Sequence, residues 1–153
     1  MINEADIYIN SAKDFDYIGE AWQYKVRKAK ALQEAKNPYW SNLDLSVSHT
    51  TVRPVSYNTA KKIIEEYEWL GCMPAISTYY FGIFFKDLSG GSEVCGGVVV
   101  FGTEYAENLG KFDQYGFTGK MILLARGVCL HWTPKNTNSH LIMESIKLLP
   151  PQV

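Results

Sequence analysis

Read for the spacing of its apolar and polar positions, the chain divides into segments of two periods. From Asp14 to Lys36, Ile18, Trp22, Val26, Ala29 and Leu32 recur at three- and four-residue steps among charges, which predicts an amphipathic helix ending at Asn37-Pro38. His49 to Val55 (HTTVRPV) is β-branched and predicts a strand. Ser56 or Asn58 then caps a second helix, whose apolar positions Ala60, Ile63, Ile64, Tyr67 and Leu70 share one side, with Gly71 as its stop. Two apolar, aromatic or β-branched runs, Ser77 to Phe85 and Glu93 to Phe101, flank the Gly-rich KDLSGGS and predict a hairpin. Gly96 and Gly97 weaken its second strand unless a bulge or a close ligand approach uses them. Thr103 to Lys120, rich in glycine and aromatics, reads as a long loop. Such loops are uncommon in compact domains and often functional. Met121 to Trp132 is an almost wholly apolar strand and Thr133 to Asn138 a polar loop. The helix from Asn138 to Leu149 packs Leu141, Ile142, Ser145 and Leu149 before Pro150-Pro151 closes it.

This order predicts an α/β fold with a mainly antiparallel sheet flanked by helices. A chain of 153 residues fits one folded domain, and a hydrophobic fraction of 46% supports a real core. The formal net charge of -1 hides an uneven distribution: Glu4, Asp6, Asp14, Asp16 and Glu20 precede Lys25, Arg27, Lys28, Lys30 and Lys36. Net charge therefore neither supports nor excludes a nucleic-acid partner. Lys25, Arg27, Lys28 and Lys30, with Tyr24 and Tyr39 nearby, are candidates to lie along a DNA backbone; the same run also reads as a solvated helix face. Three cysteines without CxxC spacing read as reduced, buried thiols of a cytoplasmic protein. The acidic N-terminus is not a secretory signal, and no segment reads as a membrane span.

Candidate chemistry gathers late in the chain. Arg126 interrupts the run Leu123, Leu124, Ala125, Gly127, Val128, and an unpaired buried guanidinium is strongly unfavourable. It must either bond a neighbouring carboxylate or point into a cleft. Strict alternation puts it on one face with Leu124, Val128, Leu130 and Trp132, and Cys129 and His131 on the other. A strand that empties into a helix N-terminus leaves backbone N–H groups for an anion such as a pyrophosphate. EWLGCMP (Glu68 to Pro74) puts a carboxylate and an indole in a turn, either lining a cleft or simply exposing the one and burying the other. Cys95, Cys129, His131 and His140 show no recognised ligand spacing, so no metal site is expected.

LARGVCLHWTPKNTNSHLI (Leu124 to Ile142), YEWLGCMP (Tyr67 to Pro74) and CGGVVVFG (Cys95 to Gly102) together resemble the Mom family of bacteriophage DNA-modification proteins. The resemblance covers roughly Thr51 to Pro150. It implies a GNAT-like acyltransferase domain over residues 49–153, preceded by a helical extension over residues 1–48. It also implies carbamoylmethylation of adenine N6 in DNA, which protects against restriction, with acetyl-CoA or a related acyl-CoA as cofactor. Arg126 and Ser139 match functional family positions. The loop Thr133, Lys135, Asn136, Thr137, Asn138, Ser139 matches the acyl-CoA site, although Lys135, Asn136 and Asn138 stand where ordinary acetyltransferases carry Gly-x-Gly. The EWLG turn stands at an active-site position, which adds Glu68 and Trp69 to Arg126 as catalytic candidates. Glu68 is the expected proton acceptor. The family fold continues into further strands lacking here, so the chain reads as truncated, with an apolar strand edge open to a homodimer. The alternatives are a non-catalytic DNA- or partner-binding half-domain and a small-molecule N-acetyltransferase.

Overall fold

A computed structural model describes residues 29, 32–36, 38, 42–68, 70–103, 113–116 and 121–150. Lys25, Arg27, Lys28, Lys30 and Trp69 lie outside them, as do most of the predicted first helix and of the Thr103 to Lys120 loop. Residues 32–35 are helical, and Asp113–Tyr115 forms a 3-10 turn. After a second such turn, Val47–His49, the elements are β1 (Thr50–Pro54), α1 (Tyr57–Tyr67), β2 (Tyr79–Lys86), β3 (Glu93–Thr103), β4 (Ile122–Cys129) and α2 (Thr137–Leu148). The strands form one antiparallel sheet in the order β1-β2-β3-β4. The last predicted strand is shorter than its apolar run. It ends at Cys129, and residues 131–133 turn instead.

One helix packs on each face. Ala60 and Ile64 of α1 bury against Val98 and Val100, while Leu141 of α2 buries against Phe81, Ile83, Phe85, Val99 and Phe101. Because β3 is covered on both sides, Val98, Val99 and Val100 are all buried, and the run does not alternate. Burying one such side chain contributes roughly 1.5–3 kcal/mol. The two helices therefore share a single central strand as their floor.

Two irregularities shape that floor. Gly96 is the extra residue where the β2–β3 register shifts, and a Cβ there would lie 2.4 Å from Phe85. At Gly97 a Cβ would lie 2.5 Å from the Val128 carbonyl. Both glycines thus serve a bulge and a close approach. The second shift separates Val100↔Arg126 from Phe101↔Leu124, leaving Ala125 as the extra residue of β4. This corrects the alternation read from the sequence. Leu124 pairs with Phe101 on the α2 side, Arg126 pairs with Val100 on the α1 side, and Trp132 packs with the α2 core rather than beside Arg126. Val128 stays on the Arg126 face and Cys129 lies opposite, as alternation requires.

Candidate functional site

Two groups of candidate residues stand apart: the middle of β4 with the turn after α1 lies on one face of the sheet, and α2, whose first turn carries the other group, packs on the opposite face. Helix α1 closes where the Glu68 N–H donates to the Ile64 carbonyl at 3.0 Å. The Glu68 carboxylate then folds forward, and its Oε2 accepts from the amides of Leu70 at 2.7 Å and Gly71 at 3.0 Å. Gly71 holds a φ of 64°, a left-handed conformation that glycine adopts without a Cβ penalty. Pro74 is buried and Met73 packs on the α1 core, so the turn is fastened to the sheet.

That turn presents the Cys72 carbonyl to Arg126. The Arg126 Nε donates to it at 3.2 Å, and one terminal nitrogen donates to the Ala125 carbonyl at 2.8 Å. Arg126 is half-buried and, among the described residues, pairs with no carboxylate. Its neighbours are neutral carbonyls, so they orient the guanidinium without cancelling its charge, and its other N–H groups are left for a ligand. The bulge at Ala125 makes this geometry, because it turns Arg126 toward the face on which the Glu68–Pro74 turn lies. The structure thus brings Arg126 and the Glu68 turn together.

The connection from β4 to α2 sorts its own residues. Thr133 and Thr137 face inward: the Thr133 Oγ1 donates to the Leu130 carbonyl at 2.7 Å, and the buried Thr137 donates through Oγ1 to the Pro134 carbonyl at 2.6 Å. Lys135, Asn136, Asn138 and Ser139 are exposed. Asn136 is the N-cap, with φ 72° and ψ 4°, and its side chain makes no capping bond. The first α-type bond runs from the His140 amide to the Asn136 carbonyl at 3.1 Å. The Asn138 and Ser139 amides precede it, in the turn where helix geometry supplies no carbonyl. With Lys135 two residues before the helix, they are the candidate cradle for an anion.

Cys72 is exposed at the turn, which corrects the expectation of three buried thiols; the other two are quiet. Burial pushes the Cys129 thiol up to about 12 and raises that of Cys95, so neither is a ready thiolate. Among the described residues, no three of His, Cys, Asp or Glu converge as a metal ion needs. His140 instead meets the Thr50 hydroxyl at 3.2 Å.

One cluster escaped the sequence reading. The Tyr67 hydroxyl donates to the Glu34 Oε1 at 2.9 Å, and the His131 Nδ1 lies 3.6 Å from the Glu34 Oε2. Burial, and then the carboxylate beside it, raise the Tyr67 phenol above its ordinary value, so it stays a donor. Tyr67 carried only a core-facing signal and Glu34 only a surface one. Nothing in their spacing announces a contact across 33 residues.

The class these features define is an α/β protein with a four-stranded antiparallel sheet between two helices, an oriented arginine on its last strand and an uncapped helix after it. The chain belongs to the Mom protein family, whose model matches residues 49–153. It is therefore a bacteriophage-type DNA-modification protein. No curated protein and no solved structure matches the chain. No helix among the described residues is long and apolar enough to cross a membrane.

Proposed function

We propose that this protein is a GNAT-like DNA-modifying enzyme that uses an acyl-CoA to carbamoylmethylate adenine N6 and so protects DNA from restriction. The observation that carries the reading is the first turn of α2, where an uncapped left-handed Asn136 leaves the amides of Asn138 and Ser139 beside Lys135. This donor set fits the pyrophosphate of CoA: amides and one cation, with no carboxylate among residues 133–139. When bound, the thioester supplies the activated acyl group. Arg126, held by two carbonyls and still carrying its charge, orients or neutralises an anionic group of donor or intermediate. Lys25, Arg27, Lys28 and Lys30 contact the DNA backbone, and the target adenine leaves the stack to reach the site.

Glu68 has a narrower task in this scheme than proton transfer. Its carboxylate shapes the turn that places the Cys72 carbonyl against Arg126, because Oε2 is engaged by two amides. Nucleoside mass spectrometry of DNA from expressing cells tests both assignments. Arg126→Ala removes the modified adenine while the protein stays folded. Glu68→Gln, whose amide oxygen still accepts from Leu70 and Gly71, keeps most of it, and Glu68→Ala loses it. Unmodified DNA from wild-type cells rejects the enzymatic reading, and loss in Glu68→Gln returns proton transfer to that residue.

A further inference from the structure

Glu34 lies upstream of the family-matched region, yet its side chain is inserted into it. The side chain is only 19% exposed, and its Oε2 is buried without a hydrogen bond among the described residues. Among the described residues, Tyr67, at the end of α1, and His131, where the β4–α2 connection begins, face the two oxygens. Burying a carboxylate is unfavourable unless it is well paired. A position that merely needed filling would be satisfied by an apolar side chain, so the pairing itself calls for a purpose.

The connection that His131 opens runs straight to the anion cradle. The Leu130 amide donates to the Gly96 carbonyl of β3 at 2.8 Å, and the Leu130 carbonyl accepts from both the amide and the hydroxyl of Thr133. The Pro134 carbonyl then accepts from the amide and the hydroxyl of Thr137, the first residue of α2. Between these bonds, Trp132 packs edge-on against Phe85, with ring centroids 6.4 Å apart. Each link fixes the next. His131 is the link that is not fastened to its own sheet or helix, because its side chain reaches a carboxylate from another part of the chain.

We propose that Glu34 is a positioning residue: it clamps His131 and Tyr67, and thereby holds the β4–α2 connection in the conformation that exposes the Asn138 and Ser139 amides to an acyl-CoA. This deepens the function proposed above and rests on it only for the identity of the anion. Glu34 thus belongs to the donor site by what it positions.

The full chain is the object of the test, with Glu34→Gln, Glu34→Ala, Glu34→Asp and Tyr67→Phe as variants. Amide hydrogen exchange reads residues 131–139, and calorimetric titration with CoA reads the site. In Glu34→Ala, exchange across 131–139 rises and CoA binding weakens, each about tenfold, within the usual range of coupling between sites. The amides of β3 keep their protection. Glu34→Gln, which still accepts from Tyr67 but presents no charge to His131, falls between, as does Tyr67→Phe, and Glu34→Asp recovers part of the loss. Unchanged exchange in 131–139 overturns the clamp. So does a rise of equal size over the whole sheet, which marks a merely structural role. A wild-type chain that binds no CoA rejects the acyl-CoA reading, and the exchange arm still decides the clamp.

Discussion

The two helices begin in opposite ways. In α1 the Ser56 side chain, on an extended backbone, accepts from the Thr59 amide, and its hydroxyl also meets that of Thr59. The capping motif is local, satisfied and closed. In α2 the cap residue Asn136 is left-handed and offers no side-chain bond, and only the 3-10 turn through Pro134 tightens the start. Yet both helices are anchored equally well further in, by Ile64 and Leu141, each fully buried. A helix end that costs stability is tolerable where the core beneath it is strong. The difference between the two ends separates a helix that only packs from the one whose first turn we propose as a ligand site.

The largest effect tests the claim that the anchors are equivalent. Ile64→Ala and Leu141→Ala each destabilise by roughly 2–5 kcal/mol in urea unfolding, the range for deleting a fully buried aliphatic side chain. A much smaller value for Leu141 breaks the comparison, because α2 then has no core support to offset its open end. The caps come next. Ser56→Ala costs about 1 kcal/mol and Ser56→Gly only a few tenths. Asn136→Ala costs roughly 1–2 kcal/mol through its positive φ, and Asn136→Gly is neutral or better. The same pair of substitutions thus gives a cap signature in one helix and a backbone signature in the other, read by chemical denaturation.

The smallest effect lies on the helix surfaces. In α2 the Lys147 ammonium bonds Glu144 at 2.6 Å and holds its carboxyl below the ordinary value. The α1 counterpart, Lys61 with Glu65, is longer at 3.8 Å. A lowered folded pKa gives stability that is present above the unfolded carboxylate range and is lost as pH falls through the lowered value. Acid titration of helicity therefore shows a shallow loss on that side, and Glu144→Gln removes it. High salt flattens it too, since the pair is at the surface.

Much of this was legible along the chain because its causes are local. Ser56 before an amphipathic run and two apolar runs around KDLSGGS each act over a few residues and appear where expected, whereas α1 stops at Tyr67, short of Leu70 and Gly71: the Glu68 carboxylate takes the next amides into a turn, and Leu70 is exposed rather than on the packed side. The Gly96-Gly97 pair announced a bulge or a close ligand approach; Gly96 serves the bulge, and what comes close to Gly97 is the backbone of β4. What could not be read depends on partners far away. The extra residue at Ala125 follows from how β4 meets β3, not from its own composition, and it overturned the face assigned to Leu124. Arg126 bonds carbonyls rather than a neighbouring carboxylate, because the partner came from a turn 54 residues earlier. The left-handed Asn136 had no signature beyond being an asparagine before a helix.

Strand β4 ends the sheet, with Leu123 and Leu124 exposed and, among the described residues, no neighbour along its outer side. Its free backbone groups are a template for any extended polypeptide, including another copy of the chain. A segment that zipped onto this rim would lie directly beside Arg126. Crowded samples should therefore lose access to the arginine before they lose their helices, and a preparation that looks well folded by circular dichroism can already be masked. Dilution, rather than refolding, is the remedy that follows.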